Sequence, residues 1–266
     1  MEHRNPGGLF PKYRMAVAAA KDISDFALRI EQQGPIEIQY APFDYVQMGA
    51  RLIIVGMTPG AQQANLALTA AKESIRLGLS TEDILQRAKV HASFGGPMRE
   101  NLVEILDYLE VNHAISIDST RSLWIDNGDL VHFTSAIRYP AFVNCKNYAG
   151  ASPRIDTNPV ITRYLETYLA YELNLLPNAM IIPFGAAAQK ACAYLCEGNK
   201  LERRRVISGV PHPSPNNRQL IDWYLEKVAR RDVSARVKSP EKVADDRKHA
   251  QSLVKHWRMS LQTTPA

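Results

Sequence analysis

One histidine in this chain sits where it could do chemistry, in the stretch Gly209-Val210-Pro211-His212-Pro213-Ser214-Pro215-Asn216-Asn217. An imidazole exchanges a proton or a hydrogen bond near neutral pH. The prolines around it fix φ near about −65° and remove backbone donors, so the ring is held on a loop with little freedom. The loop follows the run Arg205-Val206-Ile207-Ser208. Far upstream, Arg51-Leu52-Ile53-Ile54-Val55 reads as a buried strand ending in Gly56-Met57-Thr58-Pro59-Gly60. Glycines there permit close backbone approach or positive φ, and the residues after them turn helical. Two strand ends, each followed by a Gly/Pro loop, can meet at the carboxyl edge of one parallel sheet, where open α/β folds hold ligands.

The elements that would position these loops follow from periodicity. Residues 14–31 read as a helix stopped by Gly34-Pro35, and residues 62–77 as a second ended near Gly78. Ser80-Thr81-Glu82-Asp83 opens a third with a cap-like start. Leu102, Ile105, Leu106 and Leu109 make residues 99–109 amphipathic. Strands are expected at residues 131–135, 179–183 and 204–209, and further helices at 159–171, 186–195 and 218–231. Residues 139–159 read as a long loop, the kind that is usually functional or mobile. Alternating strands and helices imply a parallel sheet covered on both faces. The expected fold is α/β, a three-layer α/β/α sandwich with a four-stranded parallel central sheet. It would occupy residues 1–232, N-terminal helix included, with residues 233–266 as a C-terminal helical tail carrying a helix over 240–259.

The 266 residues suffice for one full-sized domain with terminal additions. No apolar run reaches the length of a bilayer, and Met1-Glu2-His3-Arg4-Asn5-Pro6 lacks a signal-peptide core. A cytoplasmic monomer off the membrane is the expectation. A net charge of +5 permits a polyanionic partner without requiring one. Of three cysteines, Cys192 and Cys196 are spaced to share a helix face and read as small core hydrophobes in a reducing compartment.

Taken as a pair, GMTPG and HPSPNN resemble the two signature motifs of the uracil-DNA glycosylase superfamily, nearest the single-strand-selective monofunctional branch. They stand in the right order, about 150 residues apart. Ser93-Phe94-Gly95-Gly96, Val131-His132-Phe133-Thr134-Ser135 and Ile181-Ile182-Pro183-Phe184-Gly185 extend the likeness, which spans roughly residues 52–220. The resemblance implies base excision, in which a C1′–N bond breaks, the sugar gains oxocarbenium character and the base leaves as an anion.

By that likeness His212 donates a hydrogen bond to the departing base. Thr58 stands where relatives carry Asp or Asn to position the water; it either orients that water or caps the next helix. Gly56, Met57 and Gly60 would lie against the base, with Gly60 where the most specific uracil enzymes exclude the thymine methyl with a tyrosine. A missing ring leaves room beside C5. Phe94 resembles the phenylalanine on which the base stacks, although an aromatic in a loop more often packs a core. Ser135 replaces the asparagine that reads the pyrimidine edge, and His132, Asn144 or Asn147 are candidates for the lost contact. Ser214, Asn216, Asn217 and Arg218 would meet DNA, with Asn216 at the wedge position, or Asn216-Asn217 would simply cap the next helix. Arg203-Arg204-Arg205 either lines the DNA path or is a solvated face.

The function so implied is a monofunctional DNA glycosylase acting on a non-standard pyrimidine, with DNA as partner and no metal or cofactor. Some branches hold a four-cysteine iron–sulfur cluster, which three cysteines do not match. Gly60 and Ser135 tilt the substrate toward a bulky 5-modified cytosine, such as glucosylated hydroxymethylcytosine of phage DNA, over deaminated or oxidised bases. The alternatives are an inactive DNA- or abasic-site-binding module, and an unrelated nucleotide enzyme, for which the chain lacks a phosphate-cradling glycine motif.

Overall fold

The computed structural model describes residues 8–263, so Met1 to Pro6 lie outside the described residues. The first helix, α1 (Phe10–Ala19), carries Pro11 in its first turn and ends well before residue 31. Asp22 and Asp25 break it: their carboxylates accept from Ser24 N and Ala27 N, which gives the backbone a local alternative to helix. The chain then makes β1 (Arg29–Gln33) and β2 (Ile36–Gln39), paired antiparallel. The buried strand follows as β3 (Leu52–Gly56), then α2 (Ala61–Arg76), and α3 (Thr81–Ala92), whose N-cap Ser80 accepts from Asp83 N. Next come α4 (Pro97–Tyr108), the short α5 (Val111–Ala114) and β4 (Val131–Ser135).

The first part of the stretch expected to be a long loop is a hairpin, and residues 148–158 carry no strand or helix. β5 (Ala141–Val143) and β6 (Lys146–Asn147) turn through Asn144 and Cys145, both at positive φ, and β5 pairs with β2, giving a four-stranded sheet in the order β1-β2-β5-β6. Then come α6 (Pro159–Tyr164) and α7 (Ala170–Leu175), joined through a π-turn, followed by β7 (Met180–Pro183) and α8 (Gly185–Glu197). The chain closes with α9 (Arg218–Tyr224), ended ahead of the positive-φ residue Glu226, and α10 (Pro240–Thr263).

The parallel sheet has three strands, in the order β4-β3-β7, rather than the four expected. Where the fourth should run, Val206 makes a single parallel bridge to Ile181, continued by Ile207 N donating to Ile181 O. Both ends of that segment are diverted. Upstream, Arg203–Arg205 is a 3-10 turn whose last residue is buried, its guanidinium donating to the carbonyls of Leu173, Leu176 and Ala179. Arg205 therefore lines no DNA path. Downstream, Gly209 takes φ +82 and Pro211 has no N–H to continue a ladder.

β3 is buried along its whole length, and its side chains divide by the period of a strand. Ile53 and Val55 join a core with α1, α2, α3, α6, α7 and α8, while Leu52 and Ile54 join a second with α4, α5, α9 and α10. Ala250, Val254 and Trp257 of α10 are buried in that second core, so the C-terminal helix packs as part of the fold and not as an appendage. Among the described residues, no helix is long and apolar enough to cross a membrane.

The face of β4 turned to the first core carries ionic groups. Glu172 of α7 is fully buried, with Arg138 (Nε to Oε1, 2.5 Å) and Lys89 of α3 (4.0 Å) beside it. Thr134 donates to Glu172 Oε2, and His132 Nε2 lies 3.1 Å from the same oxygen. Gln47 N donates to His132 Nδ1 at 3.4 Å, so His132 is a neutral ring carrying its proton on Nε2. Burial would raise the carboxyl of Glu172, but the cations of Arg138 and Lys89 hold it well below its ordinary range. Burial, aided by Lys89, pushes His132 down to about 4.

Two outcomes follow for stability. Glu172→Gln leaves Arg138 and Lys89 without their shared counter-charge and should lower unfolding free energy by about 3–5 kcal/mol in a denaturant titration. Between pH 6.5 and about 4 the unfolded chain protonates His132 while the folded chain does not, so this contribution is full above pH 6.5 and declines as pH falls. The decline is about 1.4 kcal/mol per pH unit at most, and His132→Gln should remove that share from the pH dependence of the denaturation midpoint.

Candidate active site

Three loops converge beyond the carboxyl ends of β4, β3 and β7. At Gly56, the last residue of β3, a Cβ would stand 3.5 Å from both Phe94 Cζ and Ser135 Oγ, in van der Waals contact with both. Phe94 is 7% exposed, at φ +49, with Phe133 and Phe184 rings 5.9 and 6.5 Å away. It is thus a core residue whose edge reaches the strand ends, and both sequence readings of it meet in one position. Ser135 is half-buried.

His212 approaches from the other side. Gly185, which follows β7 and Phe184, takes φ +81, and a Cβ on it would lie only 2.8 Å from His212 Cβ. Only glycine lets the histidine loop come this close. The approach is fixed by Gly185 N donating to Val210 O (3.1 Å) and by Gln189 Nε2 donating to the same oxygen (2.7 Å). Within the loop, Ser214 N donates to His212 Nδ1 at 3.1 Å. That bond makes Nδ1 the acceptor and leaves Nε2 carrying the proton in the neutral ring. Burial lowers the pKa of His212 below its ordinary value, so near pH 7 the ring is a neutral Nε2–H donor.

The residues after His212 build the loop more than they offer a surface. Ser214 Oγ accepts from Asn216 N as the cap of the turn Pro215–Asn217, and Asn217 Nδ2 donates to His212 O at 3.0 Å. Asn101 of α4 donates to Pro213 O and accepts from Arg218. Arg218 was expected to reach phosphates, but its guanidinium is engaged by Glu104 (2.9 Å) and Asp222 (2.9 Å). Two carboxylates on one guanidinium leave little charge to offer. Asn216 is exposed. Behind the loop, a Cβ on Gly209 would lie 2.7 Å from the carbonyl oxygen of Asp246, so α10 backs the turn that leads to His212.

In the first motif the expectations change at two positions. Thr58 does not cap α2: its hydroxyl donates to Tyr139 O (3.0 Å) and accepts from Ala141 N (3.1 Å), which ties the motif to the chain beyond β4. The space beside Gly60 is not vacant either. A Cβ there would meet Asn147 Nδ2 at 3.3 Å, while Asn147 Oδ1 accepts from Ala61 N at 3.1 Å and caps α2 from the hairpin. Met57 lies under the same segment, its sulfur 3.1 Å from where a Cβ on Gly150 would stand. Of the three alternatives for reading a base, His132 is buried in the ionic cluster and Asn144 sits exposed at the hairpin turn, so Asn147 alone stands against the motif.

Sequence reasoning passed over Asn101, Gln189 and the buried ionic groups Lys89, Arg138 and Glu172, and it read His132 as a base contact when it belongs to that cluster. Their signal is a polar side chain at a position that helical or strand periodicity assigns to the core. Against known proteins, the chain is 34% identical over 198 residues to the uncharacterized protein YoxB of Bacillus subtilis (strain 168), covering 74% of this chain and 77% of that one. No family model matches the chain, and no solved structure does.

Gly185→Ala tests the close approach at the centre of the site. A side chain at φ +81 is strained and meets His212 Cβ, so the variant should lose about 1–3 kcal/mol and move the imidazole resonances of His212 in an NMR spectrum. Unchanged resonances would mean that the loop does not rest on Gly185.

Proposed function

We propose that this chain, which belongs to the same family as YoxB, is a monofunctional DNA glycosylase that flips out a non-standard pyrimidine and hydrolyses its N-glycosidic bond, leaving an abasic site. The observation that carries this reading is the state of His212: a neutral, half-buried imidazole whose Nε2–H has no acceptor among the described residues, held against Gly185 just beyond the carboxyl end of β7, the strand that pairs with the one ending in Gly56. A departing base gathers negative charge on its oxygen, and a fixed donor stabilises that charge without transferring a proton. In this reading Phe94 lies under the flipped base, Ser135 bonds its edge, and Gly56 and Met57 allow it close to the strand end. Asn216, exposed at the loop tip, enters the gap left in the stack. Helices on both faces of the parallel sheet are what the three-layer arrangement of such enzymes requires.

The attacking water has no carboxylate in the first motif, and the Thr58 hydroxyl gives its one proton to a backbone carbonyl. Bond breaking therefore runs ahead of water attack, on an oxocarbenium-like sugar. No lysine stands at a nucleophile position, so the reaction ends at the abasic site. The substrate proposed is a 5-modified cytosine, such as glucosylated hydroxymethylcytosine of phage DNA, in a cytoplasmic, monomeric enzyme whose net charge of +5 suits a polyanionic partner. The engaged hydroxyl of Thr58 also favours a second reading, an inactive module that binds DNA or abasic sites.

Labelled oligonucleotides carrying uracil, hydroxymethyluracil, hypoxanthine, mismatched thymine, hydroxymethylcytosine and its glucosylated form, incubated with the protein and cleaved with alkali, separate the two. The glycosylase reading expects strand cleavage at one base, reduced about 100–1,000-fold in His212→Ala with DNA binding retained. Binding without cleavage on every substrate would leave the inactive module.

A further inference from the structure

We infer that Asn147 sets the specificity of this site by donating a hydrogen bond to an oxygen carried on the 5-substituent of the flipped pyrimidine. The inference rests on the glycosylase reading and names the substrate feature that the site selects. It starts from the orientation of one side-chain amide. Ala61 N donates to Asn147 Oδ1 at 3.1 Å, so the oxygen faces the first turn of α2 and the NH2 group faces away from it. Nδ2 then stands 3.3 Å from where a Cβ on Gly60 would begin, so it is the first atom a side chain at that position would meet, and in the glycosylase reading that position lies beside C5 of the base. Its N–H groups have no acceptor among the described residues, and the residue is exposed.

The amide is held in this place from both sides. Asn147 pairs with Phe142 across the hairpin, and the next residue, Tyr148, is buried, with its N donating to Ala141 O at 2.9 Å and its hydroxyl to Pro153 O. Three residues on, Gly150 at φ +82 passes so close to α8 that a Cβ would overlap that of Ala187 at 2.4 Å. Strand pairing, a buried tyrosine and a close helix contact leave the hairpin little room to swing the donor away.

A donor in that position sorts bases by what they carry at C5. A methyl group pushed against Nδ2 strips water from the N–H groups and gives nothing back, which is the costly case for a polar group. An oxygen on the substituent, whether the hydroxyl of a hydroxymethyl group or the glycosidic oxygen of a sugar attached to it, accepts the bond. Discrimination by an unpaired donor exceeds what shape alone achieves between substituents of similar size.

Asn147→Asp is the decisive variant. Its carboxylate keeps an acceptor for Ala61 N at a helix N-terminus, where negative charge is welcome, but offers no donor. Excision and fluorescence-anisotropy binding are measured on matched oligonucleotides that carry 5-hydroxymethyl, 5-methyl or no 5-substituent on the same base. The wild-type protein is expected to prefer the hydroxymethyl base over the methyl base by about tenfold or more, and Asn147→Asp to abolish that ratio while melting at or above the wild-type temperature. Repulsion between Asp and DNA acts on all three oligonucleotides and cancels in the ratio. Asn147→Ala, which loses cap and donor together, should melt lower and lose the same preference. Wild-type excision with a preference that survives in both variants overturns this inference and leaves the glycosylase reading standing; a wild-type protein that neither excises nor distinguishes any of the bases overturns both.

Discussion

A buried carboxylate holds the face of the sheet on which the first motif is built. Glu172 takes contacts from two strand residues, His132 and Thr134, from Arg138 just beyond that strand, and from Lys89 on a neighbouring helix. A lone carboxylate at such depth would be intolerable, and two cations make it tolerable without neutralising it. The chain past Arg138 carries the effect forward. Tyr139 gives its hydroxyl proton to Asp44 and its carbonyl to Thr58, so the ionic cluster, the N-terminal segment and the GMTPG loop form one connected set of polar contacts. Asp44 also accepts from Tyr40 and from Leu9 N, which pins the entry into α1 to the same set.

Much of the scaffold was legible because it is written in periodicity. Ile53 and Val55 facing one way, Leu52 and Ile54 the other, announce a strand buried on both sides, and the Ser80 cap announces α3. The misjudged elements are those where local polar chemistry overrode apolar spacing. Asp22 and Asp25 ended a helix that the hydrophobic pattern would have continued, and Arg205, which reads as surface charge, turned inward onto three carbonyls and cost the sheet its fourth strand. The hairpin at residues 141–147 was hidden because its partner strand, β2, lies about 100 residues upstream, beyond the reach of any local pattern.

The site was legible in its chain positions and less so in its bonding. Gly56 lies beside Phe94 and Ser135, and His212 lies against Gly185. Which hydroxyl or amide remains free is decided by tertiary partners that sequence does not display. Thr58 lost its freedom to the backbone of Tyr139 and Ala141, Arg218 lost its charge to Glu104 and Asp222, and Asn147 gained a fixed orientation from Ala61 N. Polar residues on loops are ambiguous for this reason: their types say what they can bond, and only the fold says what they already do.

The contact between Gly209 and the Asp246 carbonyl makes two distant pieces of chain share one equilibrium. α10 packs against the turn that leads to His212, so in the glycosylase reading a base held by that turn favours the form in which the helix is docked. Under the proposed function, occupancy of the site would therefore slow hydrogen exchange along α10, because mass action on the closed form lowers the population in which the helix is detached.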